Sequence, residues 1–185
     1  MKDQQETIPQ IKRTLRMLLN TENEKLYHLV NETRQALEHL NCENVSNEVA
    51  ADLVKAKYNN LYSRILSVIK KENTFILPYI DKILDKSEGN ASDTFSVYKN
   101  LTVPLKMHLL EQSKIMEELE MLKEVCFSST ADSIYGKVIL NVIETCELFE
   151  RNVFVLQRML IPSVVHLMEM NSNHVNKTKA SYVAA

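Results

Sequence analysis

Apolar residues recur three and four positions apart along most of this chain, the spacing that gathers side chains on one face of an α-helix. In the first stretch they fall at Ile11, Leu15, Leu18, Leu19, Leu26, Leu29, Val30, Leu37 and Leu40. Thr7-Ile8-Pro9 suits a helix start with proline near the first position, and the Asn-rich run Asn41 to Asn47 ends the stretch. Thr21 to Glu24 has the form of a capping box, which predicts two helices with a kink near residue 20. A second helix is expected from about Ser46 to Leu84, carrying Leu53, Leu61, Ile65, Val68, Ile76 and Pro78. Lys86 to Asp93 (KSEGNASD) reads as a loop. The third helix then spans roughly Thr94 to Val125, interrupted near Pro104, and Cys126 to Asp132 forms the next loop. A fourth runs from about Ser133 to Leu160, with Pro162 near its end. Four long helices with short connections and no repeat unit predict an all-α, antiparallel up-down four-helix bundle. Residues 1–170 form its single domain, and 171–185 a polar, disordered tail.

Composition sharpens this picture. The 185 residues include only two glycines, Gly89 and Gly136, too few for the tight turns of a hairpin-rich sheet fold. Neither dinucleotide nor P-loop glycine motifs can be written with them. The net charge of −2 lacks the basic excess of a nucleic-acid surface. No run of 18 consecutive apolar residues predicts a membrane span, and the polar start MKDQQET does not read as a secretory signal. Cys42, Cys126 and Cys146 are widely spaced, without a CxxC or Cys/His cluster, and point to reduced thiols in a cytoplasm. Five N-x-[ST] sequons, at Asn31, Asn44, Asn90, Asn100 and Asn176, pull towards a secreted helical cytokine-like protein instead.

Some polar residues stand in the apolar stripes. Helix 2 reads Leu61, Ile65, Val68, Glu72, Ile76, and helix 3 reads Leu101, Leu105, His108, Gln112, Ile115, Leu119. Helix 4 reads Val142, Cys146, Phe149, Asn152/Val153, Leu156, and helix 1 puts Glu22 between Leu18 and Leu26. In an antiparallel bundle these lie at similar depth. Buried groups of this kind must bond one another, hold an ion or reach water. A metal or ligand site and a satisfied polar layer that fixes helix register are both open at this point. Cys146 reads as a small buried hydrophobe, Met116, Met121 and Met159 as fillers in or beside the core, and His39 and His166 as surface residues. No hydrolase arrangement of Ser, His and Asp stands out.

Two segments carry a resemblance. Val68 to Leu84 (VIKKENTFILPYIDKIL) and Asn152 to Glu169 (NVFVLQRMLIPSVVHLME) each place an apolar-proline signature, Ile76-Leu77-Pro78 and Leu160-Ile161-Pro162, near a helix end. The chain thereby resembles the hemerythrin-like (HHE cation-binding) family over about residues 20 to 170, a bacterial type of domain. That resemblance implies a di-iron pair held by histidines and carboxylates from four helices. Transferred from the prolines, the ligand positions fall on Val68 and Glu72, on His108 and Gln112, and on Asn152 and Leu156. The helix 1 position falls on Glu22, or on His28 in a shifted register. Valine and leucine cannot ligate, and amides are poor partners for iron. The expectation is therefore a degenerate site without cofactor, Glu22, Glu72 and His108 being the residual metal candidates, and Gln112 and Asn152 a core polar layer whose joint replacement by Leu is tolerated. The expected function is non-enzymatic and cytoplasmic, a regulatory or sensory module acting on a protein partner, with no nucleic acid or membrane and with a homodimer admitted. An iron protein handling dioxygen, nitric oxide or redox signals is the first alternative.

Overall fold

The computed structural model describes residues 7–40, 48–87, 91–127 and 133–170, and these are helical almost throughout, without a strand among them. They form four long helices. The first joins Ile8–Met17 and Asn23–His39 through a π-helical turn at Leu18–Glu22. The second joins Glu48–Lys71 and Leu77–Ser87 through a π turn at Glu72–Ile76. The third, Ala91–Phe127, is α-helical from end to end. The fourth runs through Ser133–Phe154 and a π turn at Val155–Leu160, and continues through 161–170.

Several boundaries differ from the sequence expectation. Thr21 to Glu24 does not cap a second helix: the chain stays helical, and no side chain there caps an end. The surplus residue of the π turn takes up what reads as a break. The helix start that is capped lies at Thr7, whose backbone N–H donates to Gln10 Oε1 at 2.7 Å, with Pro9 in the first turn. Of the expected Lys86–Asp93 loop, Lys86 and Ser87 end the second helix, residues from Ala91 open the third, and 88–90 lie outside the described residues. Pro104 does not interrupt the third helix. Leu101 and Leu105, on either side of it, are buried, and that packing holds the helix where an isolated peptide would bend. Cys126 and Phe127 are helical, and the rest of the expected second loop lies outside the described residues, as does the tail from 171. The fourth helix passes Leu160 and Pro162 without stopping. Pro78 and Pro162 each follow a π turn within two residues. A widened turn moves the carbonyl four residues back away from the proline ring, which relieves the clash that ends ordinary helices.

Named contacts set the neighbours. Lys12 pairs with Asp85 and the Tyr58 hydroxyl donates to the Val30 carbonyl, joining first and second helices. Arg64 holds Glu111 and Glu118, joining second and third. Lys123 pairs with Glu150, joining third and fourth, and Arg151 with Glu22, joining fourth and first. Inside, two apolar clusters form. One gathers Leu26, Val30, Leu61, Leu119, Val142 and Phe149, the other Ile11, Leu15, Ile80, Leu101, Leu160 and Val164. Leu53, expected in the stripe, is exposed, as are Met121 and Met159, whereas Met116 packs against the first cluster.

One helix among the described residues, Tyr135–Met170, is long and apolar enough by composition to cross a membrane. Core helices share that property, and this one sends Val142, Cys146, Phe149 and Leu156 into the bundle.

Candidate functional site

Between the two apolar clusters, all four helices contribute a buried polar residue: Asn23, Glu72, His108 and Gln112, and Asn152. Glu72 is the hub. Its Oε1 accepts from Gln112 Nε2 at 2.7 Å and meets His108 Nε2 at 3.0 Å, while its Oε2 accepts from Asn23 Nδ2 at 2.9 Å. A carboxylate only accepts, so facing Glu72 the His108 ring carries its proton on Nε2. The network extends outward from these contacts. Asn23 Nδ2 also donates to Asn73 Oδ1 at 2.8 Å, Asn152 Nδ2 donates to Asn23 Oδ1 at 3.2 Å, and Gln157 Nε2 donates to Gln112 Oε1 at 3.0 Å. Two buried atoms of this layer have no hydrogen-bond partner, His108 Nδ1 and Asn152 Oδ1.

The backbone is irregular at this level. The first π turn ends directly before Asn23, Glu72 opens the second, and the third contains Gln157. Such turns insert one residue and shift which side chain faces inward. That shift decides the fate of the helix 1 candidates. Glu22 does not face the core: its side chain is 14% exposed and pairs with Arg151 and Lys25 on the flank. His28 is exposed as well and stands edge-on to Tyr27. Asn23 takes the inward place.

The residual metal candidates therefore do not meet. Glu72 and His108 touch, Glu22 faces away, and no group of three His, Cys, Asp or Glu residues able to hold a metal occurs among the described residues. Gln112 and Asn152 are buried as expected, but they bond different partners, Glu72 with Gln157 and Asn23 respectively. At the other transferred positions Val68 and Leu156 are buried and apolar. The residues present do not fit a di-iron pair. Its positive charge calls for several carboxylates, and the one carboxylate here already accepts three N–H groups.

Sequence reasoning missed Asn23, Asn73 and Gln157. Leu18 and Leu26 are eight apart, which fits an inward residue at 22 with steps of four and four, or at 23 with steps of five and three. Only the position of the π turn separates the two.

Other candidates settle as structural parts. Cys126 and Cys146 are free and buried in the first cluster. Burial pushes their thiols up, to about 11 and about 12, so neither has the character of a reactive thiolate. His39 and His166 are exposed. The sequon at Asn31 lies in mid-helix: its amide donates to the Tyr27 carbonyl, its Oδ1 accepts from the Tyr62 hydroxyl, and its Thr33 is buried. Cys42 and the sequon asparagines Asn44, Asn90 and Asn176 lie outside the described residues.

Comparison of the chain with known protein families, curated proteins and solved structures gives no match.

Proposed function

We propose that this is a hemerythrin-like, antiparallel up-down bundle in which a hydrogen-bonded polar layer stands where a di-iron site would be, and that it works without catalysis by binding a protein partner as a regulatory or sensory module in the cytoplasm. The observation that carries this reading is the engagement of both Glu72 oxygens. Asn23, His108 and Gln112 all direct N–H groups at its two oxygens, so a metal ion would have to displace these bonds to use the carboxylate. The replacements around it support the same conclusion, since Val68 and Leu156 fill space and the amides of Gln112 and Asn152 hold polarity without charge. A layer of this kind fixes helix register, and specificity of packing is the best attested use of buried polar groups. With the interior committed to packing, the remaining means of action is the surface.

The competing reading as a secreted protein predicts glycan on its sequons, and Asn31 is engaged at both ends of its amide. The competing reading as an iron protein rests on Glu72 and His108.

Elemental analysis of protein purified without chelator, repeated after anaerobic loading with ferrous iron, tests the proposal. Absence of iron, with thermal stability unchanged by the metal, is the expected result. Stoichiometric iron at the level of a metal site overturns it and returns the protein to the iron-handling reading.

A further inference from the structure

The third helix is apolar on two opposite sides. Leu101, Leu105, Ile115, Leu119 and Leu122 enter the core with His108 and Gln112. One flank is taken by Arg64, which bridges Glu111 and Glu118, and the other by Lys123 with Glu150. On the side turned away from the bundle, Val103, Met107, Leu110, Lys114, Glu117 and Met121 follow one another at alternating steps of four and three. The apolar members are 70, 58, 50 and 48% exposed. Steps of four and three are the pattern of a coiled-coil seam, which needs a second helix to cover it. The seam is about 27 Å long at 1.5 Å per residue.

We infer that this outer face of the third helix is a homodimer interface, covered by the same face of a second copy of this chain running antiparallel to it. The charges select both the occupant and the direction. Lys114 and Glu117 occupy the middle of the seam, and among the described residues neither is held in an ion pair within its own chain. An antiparallel two-fold axis between them sets Lys114 against Glu117 of the second copy and Glu117 against its Lys114. The same register brings Leu110 opposite Met121 in both directions, so the two seams overlap over residues 110–121 and Met107 falls opposite Glu124 of the second copy. A parallel, in-register pair would stack Lys114 on Lys114 and Glu117 on Glu117, like charges that disfavour it. Glu111 and Glu118, which border the seam, share the one positive charge of Arg64, which halves the net charge they turn towards their counterparts. The face is thus complementary to itself, as a two-fold interface must be.

Sedimentation or light scattering of the full chain across a concentration series tests this, independently of the iron measurement. The wild-type chain is expected to form a reversible dimer. Leu110→Glu, on an exposed position, is expected to leave helicity unchanged and weaken dimerisation at least tenfold. Glu117→Lys is expected to weaken it as well, and Lys114→Glu together with Glu117→Lys to restore it, because the exchanged pair still matches across an antiparallel axis. A chain that stays monomeric at every concentration overturns the inference and leaves the face to a different partner. A dimer indifferent to Leu110→Glu, or one not restored by the charge exchange, overturns it too.

Discussion

Two groups of polar residues interrupt the apolar interior, and they follow different plans. Towards one end, Thr33 and Thr145 sit fully buried with their hydroxyls 3.1 Å apart, and Thr145 donates to the Asn141 carbonyl at 2.8 Å. Nearby, Tyr58 donates to the Val30 carbonyl at 3.1 Å. Each of these groups can lean on a backbone acceptor that the helices supply anyway, and the helices stay regular α around them. The layer around Glu72 is bonded side chain to side chain, on all four helices, with three π turns beside it and two atoms left unpaired. The Thr33, Thr145 and Tyr58 contacts each tie two helices at most, Tyr58 the second to the first and Thr33 the first to the fourth. Polar groups satisfied by one another constrain every helix that carries them, so the Glu72 layer is where the relative positions of the four are specified.

Removing the hub should separate the two plans most clearly. Glu72→Leu strands the Asn23, His108 and Gln112 donors indoors at once, and a loss of about 3–5 kcal/mol in urea unfolding is expected, from about 1–3 kcal/mol for each donor left unmet. Replacing Asn23, Glu72, His108, Gln112 and Asn152 together by Leu is expected to cost less than the single change, since no stranded partner remains among the five. A larger loss for the fivefold variant would show that the layer contributes more than register.

Alkali should strike the other half. Cys146 and Cys126 titrate near 12 and 11 in the folded state against an ordinary 9.0, because burial penalises their charged forms, and Tyr58 is raised in the same way. Below pH 9 the thiols are protonated in both states and contribute nothing. As pH rises from 9 towards 12 the unfolded chain releases these protons while the folded chain retains them, so stability falls. At pH 11 the Cys146 thiol alone costs about 3 kcal/mol at 1.36 kcal/mol per unit. Cys146→Ala should flatten the alkaline limb of a plot of stability against pH; an unchanged slope would remove Cys146 as its source.

The double change Gln112→Leu with Asn152→Leu comes next. From the sequence, with Gln112 and Asn152 taken to face each other, it reads as tolerated or stabilising, but Gln112 donates to Glu72 and accepts from Gln157, and Asn152 donates to Asn23. A loss of about 1–3 kcal/mol is expected for the partners left unmet. The smallest effect belongs to Thr33→Val with Thr145→Val. Both members of that contact disappear together at conserved shape, and the midpoint of denaturation should move by less than about 1 kcal/mol. A large loss there would erase the contrast between the two plans.

Much of this was readable in advance. Scarcity of glycine and the three-and-four spacing pointed to four long helices, and Glu72, His108, Gln112 and Asn152 stood out because they broke apolar stripes. What could not be read was phase. Glu22 and Asn23 satisfy the flanking leucines equally well, and choosing between them requires the π turn at Leu18–Glu22, which has no residue type of its own. Pro104 misled for the opposite reason: its local meaning is clear, but Leu101 and Leu105 pack firmly enough to override it. The outer stripe of the third helix was hidden by its own richness, since a helix apolar on two sides shows no single stripe.

The π turns also bear on the length of the chain itself. In an ordinary helix the loss of one codon rotates everything beyond it by about 100° and turns the core face outward. The first helix carries one residue more than an α-helix needs between Leu18 and Leu26. Deleting the exposed Thr21 would let that turn close into a regular one with Leu15 and Leu26 still facing inward. At this place, unlike almost any other along its helices, the gene can shorten by a triplet and the bundle keep its shape.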